Sequence, residues 1–171
     1  MDEAIVIVPY DPVWPMLYDS EKHLITGAIG VHIARIEHIG STAVPGLGAK
    51  PIIDITASLH TLKNLETCIT ALKPRGYQHR GEAGIPGRQF FLKISPLTGK
   101  RTHHLHLIEE GNPYLEEHIL YRDYLRLHQD VANEYFRLKQ TLAAQYGNDR
   151  DGYTNAKSDF IQSVLNRIKE Q

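Results

Sequence analysis

The sequence predicts an α+β fold, in which a mixed β-sheet is flanked by helices and the C-terminal half of the chain is helical. A helical pattern opens the chain after Asp11-Pro12, and short apolar or alternating runs follow between residues 34 and 108. Helical periodicity then returns from Asn112-Pro113 onwards. The chain has 171 residues, enough for one domain with its own core, so we predict a single domain over 1–171.

Caps and apolar stripes predict the helices. Asp11 is a good N-cap and Pro12 suits the first helical turn, and Asn112-Pro113 repeats the same pattern. Thr61 and Thr154 are candidate caps of two further helices. The predicted helices cover 12–29, 61–72, 112–128, 131–146 and 154–169.

Short apolar runs bounded by turn residues predict the strands. The predicted strands cover 34–39, 51–57, 77–79, 90–94 and 102–108. Thr98-Gly99 is a turn signal, which indicates that the last two strands form an antiparallel hairpin.

Composition limits the classes of partner. The formal net charge is -1, so no strongly basic surface follows and nothing in the charge balance favours a nucleic acid as partner. No apolar run approaches the roughly 20 residues that span a bilayer, so we expect no membrane segment. Met1-Asp2-Glu3 lacks the features of a signal peptide and Cys68 is the one cysteine, which together favour a cytoplasmic protein.

The segment Gly40-Ser41-Thr42 is a candidate phosphate-binding turn. It follows a predicted strand and precedes a partly helical loop, where backbone N–H groups are free to face an anion. Glycine allows a close approach of the backbone, and the two hydroxyl groups add donors. A Gly-Ser pair is also common in ordinary turns, so the segment is weak on its own.

A carboxylate and two histidines form the second part of the candidate site. Asp54 interrupts an otherwise apolar strand, where a charged group must be paired, hydrogen-bonded or bound to a metal. On a strand, His104 and His106 share a face, so both imidazoles reach one point. The three side chains therefore suit a divalent metal, although hydrogen-bonded structural roles remain an alternative reading for each.

Several longer motifs carry a resemblance to a known family. They are the segments 8–15, 38–46, 50–55, 103–106, 121–126 and 153–157, which together extend over most of the chain. In these segments the chain closely resembles the GrpB-like family, which is grouped with the nucleotidyltransferase superfamily. The resemblance implies a nucleotidyltransferase-like mixed sheet flanked by helices. It also implies that Gly40 and Ser41 hold nucleotide phosphates and that Asp54 is the first metal ligand.

The chain departs from the superfamily pattern at two positions. Thr56 stands where a second carboxylate is expected, and His104 and His106 stand on the strand that would offer a third. Histidines favour Mn²⁺ or Zn²⁺ over Mg²⁺, which prefers oxygen ligands. The identity of the metal therefore stays open among these three.

We predict a metal-dependent nucleotidyltransferase or phosphoryl-transfer enzyme that acts on a nucleotide or another phosphorylated small molecule and an unknown acceptor. Asp54, His104 and His106 are the predicted catalytic and metal-binding residues. The predicted phosphate-binding residues are Gly40, Ser41, Thr42, Lys50, Arg101 and Lys157. Two alternatives remain, a non-catalytic binding module for a nucleotide or phosphometabolite and a metal-dependent phosphoester hydrolase.

Overall fold

A computed structural model describes residues 4–170 of the chain. The expectation that no signal peptide begins at Met1-Asp2-Glu3 lies outside the described residues. Within 4–170, no helix is both long enough and apolar enough to cross a membrane.

The five strands form one mixed sheet in the order β1-β2-β5-β4-β3. The strands are β1 (Ile33–Ile39), β2 (Ile53–Leu59), β3 (Tyr77–His79), β4 (Gln89–Ile94) and β5 (Arg101–Glu109). Strands β2 and β5 are parallel, whereas the other neighbouring pairs are antiparallel. The predicted mixed sheet and the predicted hairpin between the last two strands are confirmed.

Six α-helices flank the sheet in the described part of the chain. They are α1 (Trp14–Ile29), α2 (Leu65–Leu72), α3 (Pro113–Leu127), α4 (Gln129–Tyr146), α5 (Arg150–Ala156) and α6 (Ser158–Lys169). Four of these helices follow the last strand, so the predicted helical C-terminal half is confirmed.

The last predicted helix, 154–169, is wrong in its extent. The structure has two helices there, and Thr154 lies inside α5 rather than at a cap. The cap is Asp149, whose carboxylate accepts a hydrogen bond of 2.9 Å from the backbone N–H of Gly152.

Asn112 caps α3 as predicted, by accepting from the backbone N–H of Tyr114 at 2.9 Å. The predicted start of the first helix is wrong, because α1 begins at Trp14 and its N-cap is Val13, whose N–H bonds to the Asp11 carboxylate.

The second strand begins at Ile53, two residues later than predicted. Pro51 has no N–H to donate to a neighbouring strand, and the Ile52 N–H bonds to the carbonyl of Lys50 in a turn. The strand therefore starts only where both neighbours can pair with it. Asp54 is consequently the second residue of β2, close to the loop that carries Lys50.

The two faces of the sheet have different characters. One face packs against α1 and α2 and forms the largest apolar cluster. Its central members are Ile53, Ile55, Ala57, Leu59, Leu105, Leu107, Ile25, Ile29 and Leu72. Because side chains alternate along a strand, Asp54 and Thr56 lie on the opposite face. That face is covered by C-terminal helices and contains a cavity.

Candidate functional site

Strand register brings the predicted catalytic side chains together. In the parallel pair β2–β5, Asp54 lies opposite His104 and Thr56 lies opposite His106. In the pair β1–β2, Ile39 lies opposite Asp54, so the turn that begins at Gly40 leaves the sheet beside the same carboxylate.

A cavity of about 540 Å³ opens over this face of the sheet. Its volume lies in the usual range for sites that bind small molecules. Every residue predicted for the site lines it, namely Gly40, Ser41, Thr42, Lys50, Asp54, Arg101, His104, His106 and Lys157. The structure therefore places these residues around one space, while what they bind stays a prediction.

Gly40 allows the turn to pass close to the carboxylate. Its φ is 75°, in the region that favours glycine, and a Cβ there would lie 2.9 Å from Asp54 Oδ2. The next residues, Ser41–Ala43, form one short 3₁₀ turn. Any side chain at position 40 would push Asp54 away from the turn.

Thr42 uses its hydroxyl inside the protein. The hydroxyl lies 2.9 Å from Nε2 of the buried His38, with which it shares a hydrogen bond, and Thr42 is 2% exposed. The ring of His38 stacks on that of Tyr18, with 4.7 Å between ring centroids. The Thr42 side chain therefore fixes the turn to β1, while the hydroxyl of Ser41 hydrogen-bonds the side chain of Tyr135.

Asp54 is the centre of a histidine–aspartate network. Its Oδ1 lies 3.2 Å from His104 Nδ1 and 3.6 Å from His106 Nε2. Burial alone would raise the pKa of Asp54, but the two histidines outweigh it and hold this pKa well below its usual value. Burial lowers the pKa of His106 to about 4, against the attraction of Asp54. At neutral pH, the pair is an ionised aspartate beside a neutral His106.

The predicted metal site can be compared with these distances. Both ring nitrogens face one carboxylate oxygen at hydrogen-bonding or ion-pair distance, whereas a metal needs the donor atoms aimed at a common point about 2 Å away. Among residues 4–170, no group of three or more His, Cys, Asp or Glu side chains could hold a metal ion. The arrangement fits a hydrogen-bonded network rather than a coordination sphere, and metal binding by Asp54, His104 and His106 stays a prediction.

Thr56 is the residue at which the resemblance noted in the sequence predicts a second carboxylate. It is fully buried, and its hydroxyl has no hydrogen-bond partner in the described structure. The network beside His106 therefore contains one carboxylate, that of Asp54, and a neutral hydroxyl.

Three lysine amines meet at one side of the cavity. Nζ of Lys50 and Nζ of Lys157 lie 5.0 Å and 4.4 Å from the centroid of the Tyr153 ring. Lys139, which is 2% exposed, donates a hydrogen bond to the backbone carbonyl of Gly48. Within the described residues, none of the three amines has a carboxylate at ion-pair distance.

Burial and mutual repulsion change the acidity of these amines. Burial, together with the charges of Lys157 and Lys50, lowers the pKa of Lys139 to about 7. Burial and the charge of Lys50 lower the pKa of Lys157 to about 7, although Asp54 acts against them. Burial also lowers the pKa of Lys50. The protonated forms are therefore costly in the free protein.

Lys139 was not predicted as a site residue. The position of the Tyr153 ring, next to the amines of Lys50 and Lys157, was not predicted either. The signal for Lys139 was present, because it lies four residues after Tyr135 on the apolar stripe of α4. A lysine at such a position must bury its amine or turn it towards a cavity. Arg88 also lines the cavity, at the end of loop 81–88.

Comparison with known proteins assigns the chain to a family. Residues 4–167 match the family model described as GrpB protein. The chain is 39% identical to the glutamate-rich protein GrpB of Alkalihalophilus pseudofirmus, over 96% of this chain and 95% of that protein. It is also 39% identical to the UPF0157 protein YqkA of Bacillus subtilis, but spans only 47% of that protein's length.

A solved structure shares the fold. The crystal structure of the conserved protein GrpB from Enterococcus faecalis is similar to this chain with a TM-score of 0.87 and 30% sequence identity. The similarity covers 95% of this chain and 96% of that one. The sheet order and the helical C-terminal half are therefore features that extend beyond this sequence.

Proposed function

The chain belongs to the GrpB family, and we propose that it binds a nucleotide or another phosphorylated small molecule in the cavity beside Asp54. The three lysine amines carry this proposal. Buried cations are costly unless an anion pairs with them, and no described carboxylate lies at ion-pair distance from Lys50, Lys139 or Lys157. A polyphosphate supplies several negative charges on one ligand.

Other groups on the same side favour a phosphate. The charges of Arg101 and Arg150 act on Lys50, so the positive potential extends beyond the three amines. Gly40 and Ser41 line the same cavity and contribute a close backbone approach and a hydroxyl donor. A phosphate chain that lies between this turn and the lysines would have its reacting end close to Asp54.

The Asp54–His106 pair supports transfer of a phosphoryl or nucleotidyl group. An acceptor hydroxyl or amine attacks phosphorus and the bridging P–O bond breaks; the electron pair leaves on pyrophosphate in nucleotidyl transfer and on the nucleoside diphosphate in phosphoryl transfer from a triphosphate. The neutral His106 takes the acceptor's proton, and the ionised Asp54 stabilises the imidazolium that results. The lysines stabilise the negative charge of the leaving group. A divalent metal, if bound as predicted, would add Lewis-acid stabilisation of the phosphates.

One observation favours the non-catalytic alternative. Thr56 replaces the second carboxylate of the superfamily pattern and buries its hydroxyl without a partner. A protein with this site would still bind the phosphates through its lysines but would transfer nothing.

Binding is tested by calorimetric titration of tripolyphosphate and ATP into the wild type and Lys157→Gln. We expect loss of one charged contact to weaken binding by about tenfold or more. Lys63→Gln is the matched control, because Lys63 is exposed and lies outside the cavity lining. Equal affinities for wild type and Lys157→Gln would contradict the proposed phosphate site.

Transfer is tested by measuring release of pyrophosphate and nucleoside diphosphate from nucleoside triphosphates in the presence of candidate hydroxyl and amine acceptors, with Mg²⁺, Mn²⁺ or Zn²⁺ added in turn. We expect Asp54→Ala to abolish turnover while tripolyphosphate still binds, because the lysines are intact. Turnover that survives in Asp54→Ala would exclude the catalytic role of this carboxylate. Binding by wild type without turnover under any of these conditions would favour the binding module.

A further inference from the structure

The cavity has a second cationic end, opposite the lysines. In the antiparallel pair β4–β5, Gln89 lies opposite Leu107, whereas Arg101 is at the start of β5. At about 3.3 Å per residue, Arg101 and Leu107 are roughly 20 Å apart along the strand. Arg88 directly precedes Gln89, so Arg88 and Arg101 line opposite ends of the cavity, with the two site histidines between them.

Arg88 is held rigidly at this second end. Its Nη2 donates hydrogen bonds to the backbone carbonyls of Glu82 at 3.1 Å and Ala83 at 2.9 Å. The guanidinium carbon lies 5.2 Å from the centroid of the Phe90 ring and 5.9 Å from that of Tyr114. These contacts fix the plane of the guanidinium before any ligand arrives.

Among the described residues, the charge of Arg88 has no carboxylate partner. The side chain is 9% exposed, and its Nε is buried without a hydrogen-bond acceptor. In the part of the chain that the structure describes, no carboxylate lies at ion-pair distance from the guanidinium. A buried cation in this situation is stabilised by an anion from outside. Nη2 is already used twice and the side chain also hydrogen-bonds Tyr114, so the anion would pair with the guanidinium charge in addition to these contacts.

The neighbouring side chains offer hydrogen-bond acceptors rather than further cations. His118 donates from Nδ1 to the carbonyl of Tyr114 at 2.7 Å, which leaves its Nε2 as an acceptor. Glu117 also lines the cavity here. A ligand at this end therefore meets one positive charge and several groups that accept protons from a hydroxyl or an amine.

We propose that the Arg88 end of the cavity binds the acceptor substrate, a small molecule with one anionic oxygen group and a nucleophilic hydroxyl or amine. The inference rests on the proposed function, which places the phosphate donor at the lysine end. One guanidinium matches one anionic group, either a carboxylate or a phosphate monoester. With that group on Arg88, the nucleophile points along β5 towards His106 and Asp54, where the transferred phosphorus would lie.

The test measures ligand binding at the lysine end and at the Arg88 end separately. Tripolyphosphate is first titrated into the wild type, and its failure to bind would count against the proposed function alone. With tripolyphosphate present to occupy the lysines, glycerate and glycerol 3-phosphate are then titrated as probes of the Arg88 end. These probes have similar carbon chains and hydroxyl groups but differ in the anion, so their relative affinities distinguish a carboxylate from a phosphate monoester.

We expect Arg88→Gln to weaken binding of the preferred probe by about tenfold or more and to leave tripolyphosphate affinity within about twofold. Arg80→Gln is the matched control, since Arg80 is exposed near the same loop. The imidazole C–H resonances of His118 in the wild type give a second readout that needs no variant. They should shift with the probe, while those of the exposed His60 should not. Equal probe affinity in Arg88→Gln, unshifted His118 resonances or no probe binding to the wild type would each overturn the proposal.

Discussion

Both sides of the sheet have partly or fully buried lysines, but only on the α1 side does a buried lysine form an ion pair with a carboxylate. On the α1 side, Lys93 Nζ lies 2.9 Å and 3.2 Å from the two carboxylate oxygens of Glu21. The hydroxyl of Tyr77 donates a 2.7 Å hydrogen bond to the same carboxylate. His103 Nε2 lies 3.6 Å from it as well, so this charge cluster is complete within the protein.

On the cavity side, Lys50, Lys139 and Lys157 lie near one another without such a carboxylate among the described residues. The same kind of side chain is thus stabilising on one face and a source of repulsion on the other. The difference indicates that the α1 face is built for stability, whereas the cavity face gives up stability, which the proposed phosphate ligand would restore.

The largest expected effect is on the paired face. Lys93→Met leaves the carboxylate of Glu21, which is 6% exposed, without its cation. We expect the free energy of unfolding to fall by about 3 kcal/mol, because an uncompensated charge remains buried. Urea unfolding at pH 7 measures this loss of stability. Tripolyphosphate affinity should not change, because Lys93 is outside the cavity lining.

The double variant Glu21→Gln/Lys93→Met is the control for that reasoning. Its glutamine still accepts the hydrogen bond from Tyr77 but carries no charge. It should therefore be more stable than Lys93→Met alone. A double variant that loses the sum of the two single effects would show that unpaired charge is not the cause.

The next effect concerns the turn beside Asp54. Gly40→Ala forces an alanine into a φ of 75° and places its Cβ 2.9 Å from Asp54 Oδ2. We expect the free energy of unfolding to fall by about 2 kcal/mol and phosphate binding to weaken, because both the backbone and the carboxylate must move. Chemical unfolding and tripolyphosphate titration measure the two losses.

Gly99→Ala isolates the backbone contribution. Gly99 has a φ of 69°, but a Cβ there meets nothing within 4 Å. Its variant should lose only about 1 kcal/mol and should bind tripolyphosphate like the wild type. If the two variants lose the same stability and both keep their affinity for tripolyphosphate, the close approach of Gly40 to Asp54 contributes neither to stability nor to ligand binding.

Local chemistry in the sequence accounts for much of the fold and of the candidate site. Alternation along a strand was enough to place His104 and His106 on one face, and the register then set Asp54 opposite His104. Asn112 was recognisable as a cap because its side chain acts on the backbone two residues ahead. Such features depend on neighbours in the chain, which is why they can be predicted.

The choice between nearby candidate caps and the contacts between distant segments could not be predicted. Thr154 has the chemistry of a cap, yet Asp149 takes that role and α5 runs through Thr154. Sequence alone also does not reveal which lysines have carboxylate partners. Lys93 and Glu21 are far apart in the chain and meet through the packing of α1 on the sheet, whereas Lys139 meets Lys157 instead.

The smallest expected effect is a pH dependence that originates on the cavity face. Lys157 and Lys139 have pKa values of about 7 in the folded protein, compared with 10.5 as the ordinary value. Above pH 7 the unfolded chain therefore binds more protons than the folded one, and the free energy of unfolding rises with pH. Each lysine contributes at most about 1.4 kcal/mol per pH unit. Below pH 7 both states are protonated, and the full penalty is present.

Lys157→Met removes one of these charges and should reduce that slope. At pH 6.5 we expect the variant to be about 1 kcal/mol more stable than the wild type, because a repelled, half-buried ammonium has been replaced by an apolar side chain. At pH 8.5 the difference should shrink, because the wild-type amine is then largely neutral. Urea unfolding at both pH values measures this, with the exposed Lys63→Met as control. Tripolyphosphate should bind the wild type more weakly at pH 8.5 than at pH 6.5, because the ligand needs the protonated amines. Parallel stability curves for Lys157→Met and wild type would mean that neither burial nor the neighbouring lysines lower the pKa of Lys157, and the contrast between the two faces would then disappear.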